Sequence, residues 1–450
     1  MTTSDHPSGA ATFASRGARL HAMVAAQMRD RGLRILLFVA HFGVARVIIY
    51  CLPLAIAALA PASVYGMIEF AQSMSLLGVA LLIGAPFVGV SQRYLINKEP
   101  LAVDVVAVAV VLTSALALAA GSAAWALGAQ PFVTVSLLAL SLASVHNSFA
   151  TVFRTLAWRN VTVWSDGFAF IIAFVIVLVS FALTGGVDTQ AIGIGYAAFA
   201  VLALAGGLMV LARSRRPGLA SRARRMIHFG APVLVSSSFA VWQSGAGRIL
   251  AGMLVPAQLP AYALAFRIVG LSLGLHQLAG VALFSRMYAG RTRRVDRLLS
   301  SLLAGVVLIL FGILAASYLF IREGTFAALH GEGYRLFFAV LPITAVQLLF
   351  WIGNAMFEMR VTRFGLAKKT ILPSMAINGV ALAGLFAARS FTPITLPAIC
   401  WLVTAQSAAF FFYSAWLLYR RGVPHRLLAA VGAGGGGLLT LAALLLSNLA

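Results

Sequence analysis

From residue 33 onward, long apolar runs follow one another with short polar interruptions, and the runs lack the every-second-residue alternation of a strand with one wet face. A helix needs ~20 apolar residues to cross a hydrocarbon core ~30 Å thick, whereas barrel strands would read as ~10-residue alternating segments. Backbone groups in lipid have no water to bond, so uninterrupted apolar runs are satisfied as helices. The pattern predicts membrane helices at about 33–60, 65–90, 101–126, 132–153, 162–184, 190–212, 229–255, 260–285, 299–320, 336–357, 370–388 and 394–419. A last apolar segment, 427–447, is a candidate thirteenth; its run Gly434 to Gly437 permits close helix contact but lowers helix propensity.

The interruptions carry the charge. Alternate ones hold Arg93 and Lys98, Arg154 and Arg159, six arginines from Arg213 to Arg225, five from Arg286 to Arg297, then Arg360, Arg363, Lys368 and Lys369, and finally Arg420, Arg421 and Arg426. With the five arginines up to Arg34, one side has 27 of the 33 basic residues, against Arg322, Arg335 and Arg389 on the other. Loops rich in Lys and Arg stay in the cytoplasm, so the N-terminus is expected on the cytoplasmic side of a bacterial inner membrane. The expected organisation is a basic cytoplasmic tail (1–32), a six-helix lobe (33–212), a basic linker (213–228), a second six-helix lobe (229–420) and an additional segment (421–450). The polar tail has no short apolar core and so is not expected to be a removable leader.

Composition agrees with lipid as the solvent: 61% of the 450 residues are hydrophobic, 10% are charged and the mean hydropathy is +0.97. The net charge of +22 belongs to membrane loops rather than to a basic groove with interleaved aromatics, so nucleic acid is not an expected partner. Cys51 and Cys400 lie in apolar runs and read as small buried hydrophobes, while His41 and His146 stand alone, so neither a metal nor a cofactor is expected.

The halves share a pattern at their first hairpins. Leu59-Ala60-Pro61-Ala62 leads to Val64-Tyr65-Gly66, and Leu254-Val255-Pro256-Ala257 leads to Ala261-Tyr262-Ala263; Arg93-Tyr94 and Arg286-Met287-Tyr288 then close the second helix of each half. Six helices per half make the repeats parallel, related by an axis along the membrane normal.

At these residues the chain resembles the O-antigen-type polysaccharide flippases of the multidrug/oligosaccharidyl-lipid/polysaccharide exporter superfamily. The likeness is clearest at Phe229-Gly230-Ala231-Pro232, at Gly247-Arg248-Ile249-Leu250-Ala251-Gly252 and at Ala261 to Arg267, with Leu59 to Tyr65, Val88 to Leu95 and Arg363 to Gly379 similar elsewhere. One departure is Gly247, where that family commonly has an acid just before the arginine of helix seven. The resemblance implies an all-α, two-lobed transporter that opens alternately to each side, with a central cavity between helices one, two, seven and eight. Its implied substrate is an undecaprenyl-pyrophosphate-linked oligosaccharide, and its implied partners are membrane lipids and polysaccharide polymerase and export machinery.

Three arginines fall inside predicted helices: Arg46, Arg248 and Arg267. A charge at the bilayer centre costs ~2.5–3.5 kcal/mol on insertion scales, so each calls for a wet cavity or a partner. Guanidinium forks match phosphate oxygens, which makes the three candidates for holding a pyrophosphate; pairing with acids to lock helices together is the competing reading. Glu69, at comparable depth in helix two, is the natural partner of Arg267, and the pair is a candidate outer gate. Gln72, Trp242, Gln243 and His276 are candidates for lining a sugar path, with interhelical packing as the alternative. Asp166 and Glu358 read as solvated or capping acids near the cytoplasmic ends, and Asp104 as a first-turn acid complementing a helix dipole.

No GxxxxGK[ST] loop or catalytic constellation is present, so enzymatic function is not expected. Two competing functions are a drug or metabolite antiporter, which would favour carboxylates around a cationic cargo, and a glycan polymerase or ligase, which would need a sizeable exterior loop.

Overall fold

A computed structural model describes residues 33, 36–95, 99–156, 158–214, 217–277, 292–319, 332–366 and 368–447. The described residues contain helices, turns and no strand. In chain order the helices are α1 (Leu36–Leu59), α2 (Ala62–Leu95), α3 (Val103–Ala126), α4 (Pro131–Thr155), the short α5 (Arg159–Ser165), α6 (Phe168–Thr184), α7 (Thr189–Arg213), α8 (Leu219–Leu254) and α9 (Leu259–Gly270). They continue with α10 (Thr292–Ala316), α11 (Phe337–Arg363), α12 (Lys368–Arg389), α13 (Leu396–Arg420) and α14 (Arg426–Ser447). Ten described helices are long and apolar enough to cross a membrane, the segment expected as thirteenth among them. Large side chains turned outward, such as Leu183, Leu308, Leu372 and Val380 at 73–80% exposure, give the bundle an apolar outer surface. Lipid, not water, is the solvent that tolerates it. The chain is a multi-pass all-α membrane protein.

Three elements differ from the hydropathy pattern. The fifth predicted helix is broken into α5 and α6 around Asp166 and Gly167, and Gly167 lies so close to Ile49 of α1 that a side chain there would run into it. The basic stretch expected as a linker over 213–228 is helical from Leu219, so α8 is 36 residues long and begins among arginines. The eighth predicted helix is described through α9 as far as Gln277, and Arg286-Met287-Tyr288 lies outside the described residues.

Within the first half, α4 packs against α2, α3 and α7; within the second, α11 packs against α9, α13 and α14. Hydroxyls tie neighbouring helices where no water competes: Thr113 and Ser114 of α3 bond Ser144 and Ser141 of α4 at 2.8 and 2.7 Å, and Asn354 of α11 donates to the carbonyl of Ser407 in α13 at 2.9 Å.

The halves meet chiefly along α2 and α8, and α8 lies against α2 more extensively than against any helix of its own half. The two run antiparallel with small residues at the close approaches. Gly252 faces Phe70, Gly245 faces Ser73, Gly84 faces Leu234, and Gly89 lies on the backbone of Met226. At the far end the shared hairpin motifs meet each other, Gly66 touching Pro260 and Gly333 of the Glu332–Tyr334 turn touching Ala62. Tyr65 and Tyr262, equivalent in the two motifs, are both fully buried, in one apolar core that spans both halves. We call this the proline end and the opposite one, where the arginine-rich turns lie, the basic end.

Candidate functional site

Seven residues past Ala62, about 10 Å along α2 from the proline end at 1.5 Å per residue, Glu69 is buried to 2% exposure. A lone carboxylate there would be costly. Two arginines from the other half compensate it. Arg267 of α9 donates through Nε to Glu69 Oε1 at 2.8 Å and through its terminal nitrogen to Oε2 at 2.7 Å, a bidentate fork. Arg248 of α8 donates to Oε2 at 3.1 Å and to the Ser244 carbonyl at 3.1 Å. Each guanidinium also covers a ring, Arg248 over Phe266 at 4.6 Å and Arg267 over Phe170 at 4.3 Å. Two cations on one anion leave the cluster with an excess positive charge.

Polar groups around it have bonding capacity to spare. Gln72, one turn beyond Glu69, receives Arg267 at 3.5 Å through its amide oxygen; its amide nitrogen, the Tyr65 hydroxyl and Nε of Arg248 have no hydrogen-bond partner among the described residues. At the proline end Tyr334 stacks obliquely on Tyr65 with centroids 6.5 Å apart, and burial together with the charge of Glu69 pushes its phenol up to about 12.

The third candidate arginine belongs to a different cluster. Arg46 of α1 donates to Asp166 at 2.6 Å, and the other oxygen of Asp166 accepts from the exposed Arg154 at 3.2 Å. Asp166 is therefore a structural counter-ion drawn inward by the α5–α6 break, not a solvated acid. Tyr50, one turn along from Arg46, joins the two clusters: it lies in the fields of Arg46, Asp166 and Arg267 and donates to Gln277 at 3.2 Å.

The bundle is superimposable on solved transporters. It aligns with the eukaryotic MATE transporter AtDTX14 at a TM-score of 0.50 and 13% identity, over 88% of this chain and 95% of that one. It aligns equally with an inward-facing multidrug resistance MATE family transporter of the MOP superfamily, at a TM-score of 0.50 and 13% identity over 85% and 94% of the two chains. The chain has the MATE fold. No known family profile and no curated protein sequence matches it.

Within the MATE fold, Gly247 acquires a physical reason. A side chain there would collide with the Tyr262 hydroxyl, which is committed to Gln347 at 2.8 Å. Arg248 has its acid across the seam instead, in Glu69. The remaining candidates disperse. Trp242 packs in an apolar cluster with Leu250, Ile399 and Val403, Gln243 is buried on α8, and His276 is half-buried just beyond α9. Three further ion pairs stand outside the candidate set, two of them between residues far apart in sequence. Asp104 holds Arg222 of α8 and also accepts from the amide of Val105, Arg360 is buried against Asp296 at 3.5 Å, and Arg93 is held by Glu99. Asp104 is thus more than a dipole complement, and Arg222 and Arg360 are more than loop charges.

Proposed function

We propose that this protein is an alternating-access transporter that carries a lipid-linked oligosaccharide across the bacterial inner membrane, recognising the pyrophosphate of its carrier. The observation that carries the reading is the pair of buried arginines, one on α8 and one on α9, sharing a single carboxylate on α2 of the other half. In this reading the basic end faces the cytoplasm and the proline end the periplasm, the orientation that the positive-inside rule favours for this distribution of arginines. The Glu69 cluster then holds the periplasmic side shut.

An arriving pyrophosphate offers oxygens to the same guanidinium groups and competes with Glu69 for them. Hydrogen bonds to charged groups contribute ~1.5–3 kcal/mol each. Because each bond to phosphate replaces one to Glu69, only the surplus of bonds made over bonds broken counts toward the roughly 5.5 kcal/mol of differential binding that reverses a two-state equilibrium. Oligosaccharide polymerase and export machinery would take the product on the far side.

A second reading, an antiporter of organic cations, draws on the likeness to a multidrug resistance transporter and on the buried Glu69. The two differ in sign: a cation would compete with the arginines for Glu69, and an anion with Glu69 for the arginines. Proteoliposomes separate them. Flipping of a fluorescent polyprenyl-pyrophosphate oligosaccharide, lost in Arg248→Gln and in Arg267→Gln while both variants still insert, is the expected result. Export of an organic cation without any flipping would refute the flippase.

A further inference from the structure

At the basic end, α11 and α13 stop by the same device. Each ends on a left-handed glycine, Gly365 at φ 66° and Gly422 at φ 64°. The residue that follows bonds back five positions, Leu366 to the Val361 carbonyl at 2.9 Å and Val423 to that of Leu418 at 3.1 Å, and buries its apolar side chain. The two turns face each other across a cavity of 430 Å³. Lys369 and Arg421 stand on its lining, and among the described residues neither forms an ion pair. The neighbouring arginines are engaged differently, Arg420 over Trp416 at 5.0 Å and Arg426 over Tyr419 at 5.9 Å.

We propose that this cavity binds the phosphate headgroup of an anionic membrane phospholipid. Two cations that form no ion pair among the described residues, on a concave site, call for an anion, and the surroundings identify its carrier. Leu372, one turn along α12 from Lys369 and on the same face, is 74% exposed, and Phe412 and Tyr419 of α13 are 50% and 60% exposed. The cationic rim thus stands where the outward apolar surface begins, which suits a molecule with a charged head and hydrocarbon tails; a free phosphate ion would leave that surface unused. Basic pockets between membrane helices hold acidic lipid headgroups by this combination. The site stands apart from the Glu69 cluster and does not rest on the transport reading.

The test is lipid retention by full-length protein purified in detergent, read by native mass spectrometry with dioleoylphosphatidylglycerol, dioleoylphosphatidylethanolamine or inorganic phosphate added. The protein is expected to retain phosphatidylglycerol preferentially. The double variant Lys369→Gln/Arg421→Gln should weaken that retention about thirtyfold, roughly fivefold for each basic residue at the membrane surface. The charge-conserving Lys369→Arg/Arg421→Lys should retain it. Equal loss in Arg224→Gln/Arg225→Gln, a basic pair near the start of α8, would overturn the assignment by making the attraction non-specific. So would equal retention of phosphatidylethanolamine, or displacement of the lipid by millimolar inorganic phosphate. If the glutamine pair does not fold, preference for phosphatidylglycerol in the unaltered protein and its persistence in the conservative pair decide the matter.

Discussion

Replacing Glu69 by glutamine keeps the size of the side chain and removes its charge, which makes it the sharpest probe of the seam. Among the described residues Glu69 is the only acid bonded to Arg248 or Arg267, and three charge-assisted bonds of 2.7, 2.8 and 3.1 Å converge on it. Removing one member of a buried ion pair leaves its partner uncompensated, at a cost of about 3–5 kcal/mol. At 1.36 kcal/mol per factor of ten, the lower bound corresponds to roughly a hundredfold shift toward states in which water reaches the arginines. Ser73, one turn from Glu69, is 3% exposed and faces Gly245 of α8, so it reports parting of the halves at this depth. In a Ser73→Cys protein with Cys51→Ser, Cys400 remains fully buried and silent. A charged maleimide should then label position 73 slowly, and Glu69→Gln should accelerate labelling about a hundredfold. An unchanged rate, in well-folded protein, would refute the idea that this cluster holds the seam.

Other outcomes follow from the same geometry. Reversing Glu69 or Arg267 alone should abolish transport, while the exchange Glu69→Arg/Arg267→Glu keeps two cations on one anion and should restore it; transport assays of the three variants at matched protein levels are the check. Asp166→Asn strips the buried Arg46 of its counter-ion and should cost about 3 kcal/mol, visible as a lowered melting temperature in detergent. Arg154→Gln, whose side chain is 69% exposed, should cost under about 1 kcal/mol in the same measurement. Gly89→Ala would force a methyl group into the backbone of Met226 and should destabilise by about 1–3 kcal/mol, whereas Gly434→Ala meets nothing within 4 Å and should leave the melting temperature unchanged or higher.

What could be read ahead of the structure divides by physical cause. Hydropathy suffices for most of the spans, because a span in lipid is a local property of some twenty residues, but not for where a helix breaks or extends into its basic loop. The contact between Glu69 and Arg267 was also accessible, since motifs around Pro61 and Pro256 put both at similar depth and an intramembrane charge seeks a partner. The separation of Arg46 from the other two arginines was not, because Asp166 is 120 positions away and only its helix break brings it inward. Gly167, a small residue in an otherwise bulky apolar run, was the available signal. Asp104 with Arg222 and Asp296 with Arg360 likewise lie 118 and 64 positions apart, and no spacing rule connects them.

The antiparallel contact of α2 and α8 has unlike fastenings at its ends. Near Gly89 the chains touch main chain to main chain, a fit that water entering would simply spoil. Near Glu69 they are joined by groups that water dissolves readily once admitted. A zipper so made has its pull-tab at the charged end, and its stop is a glycine.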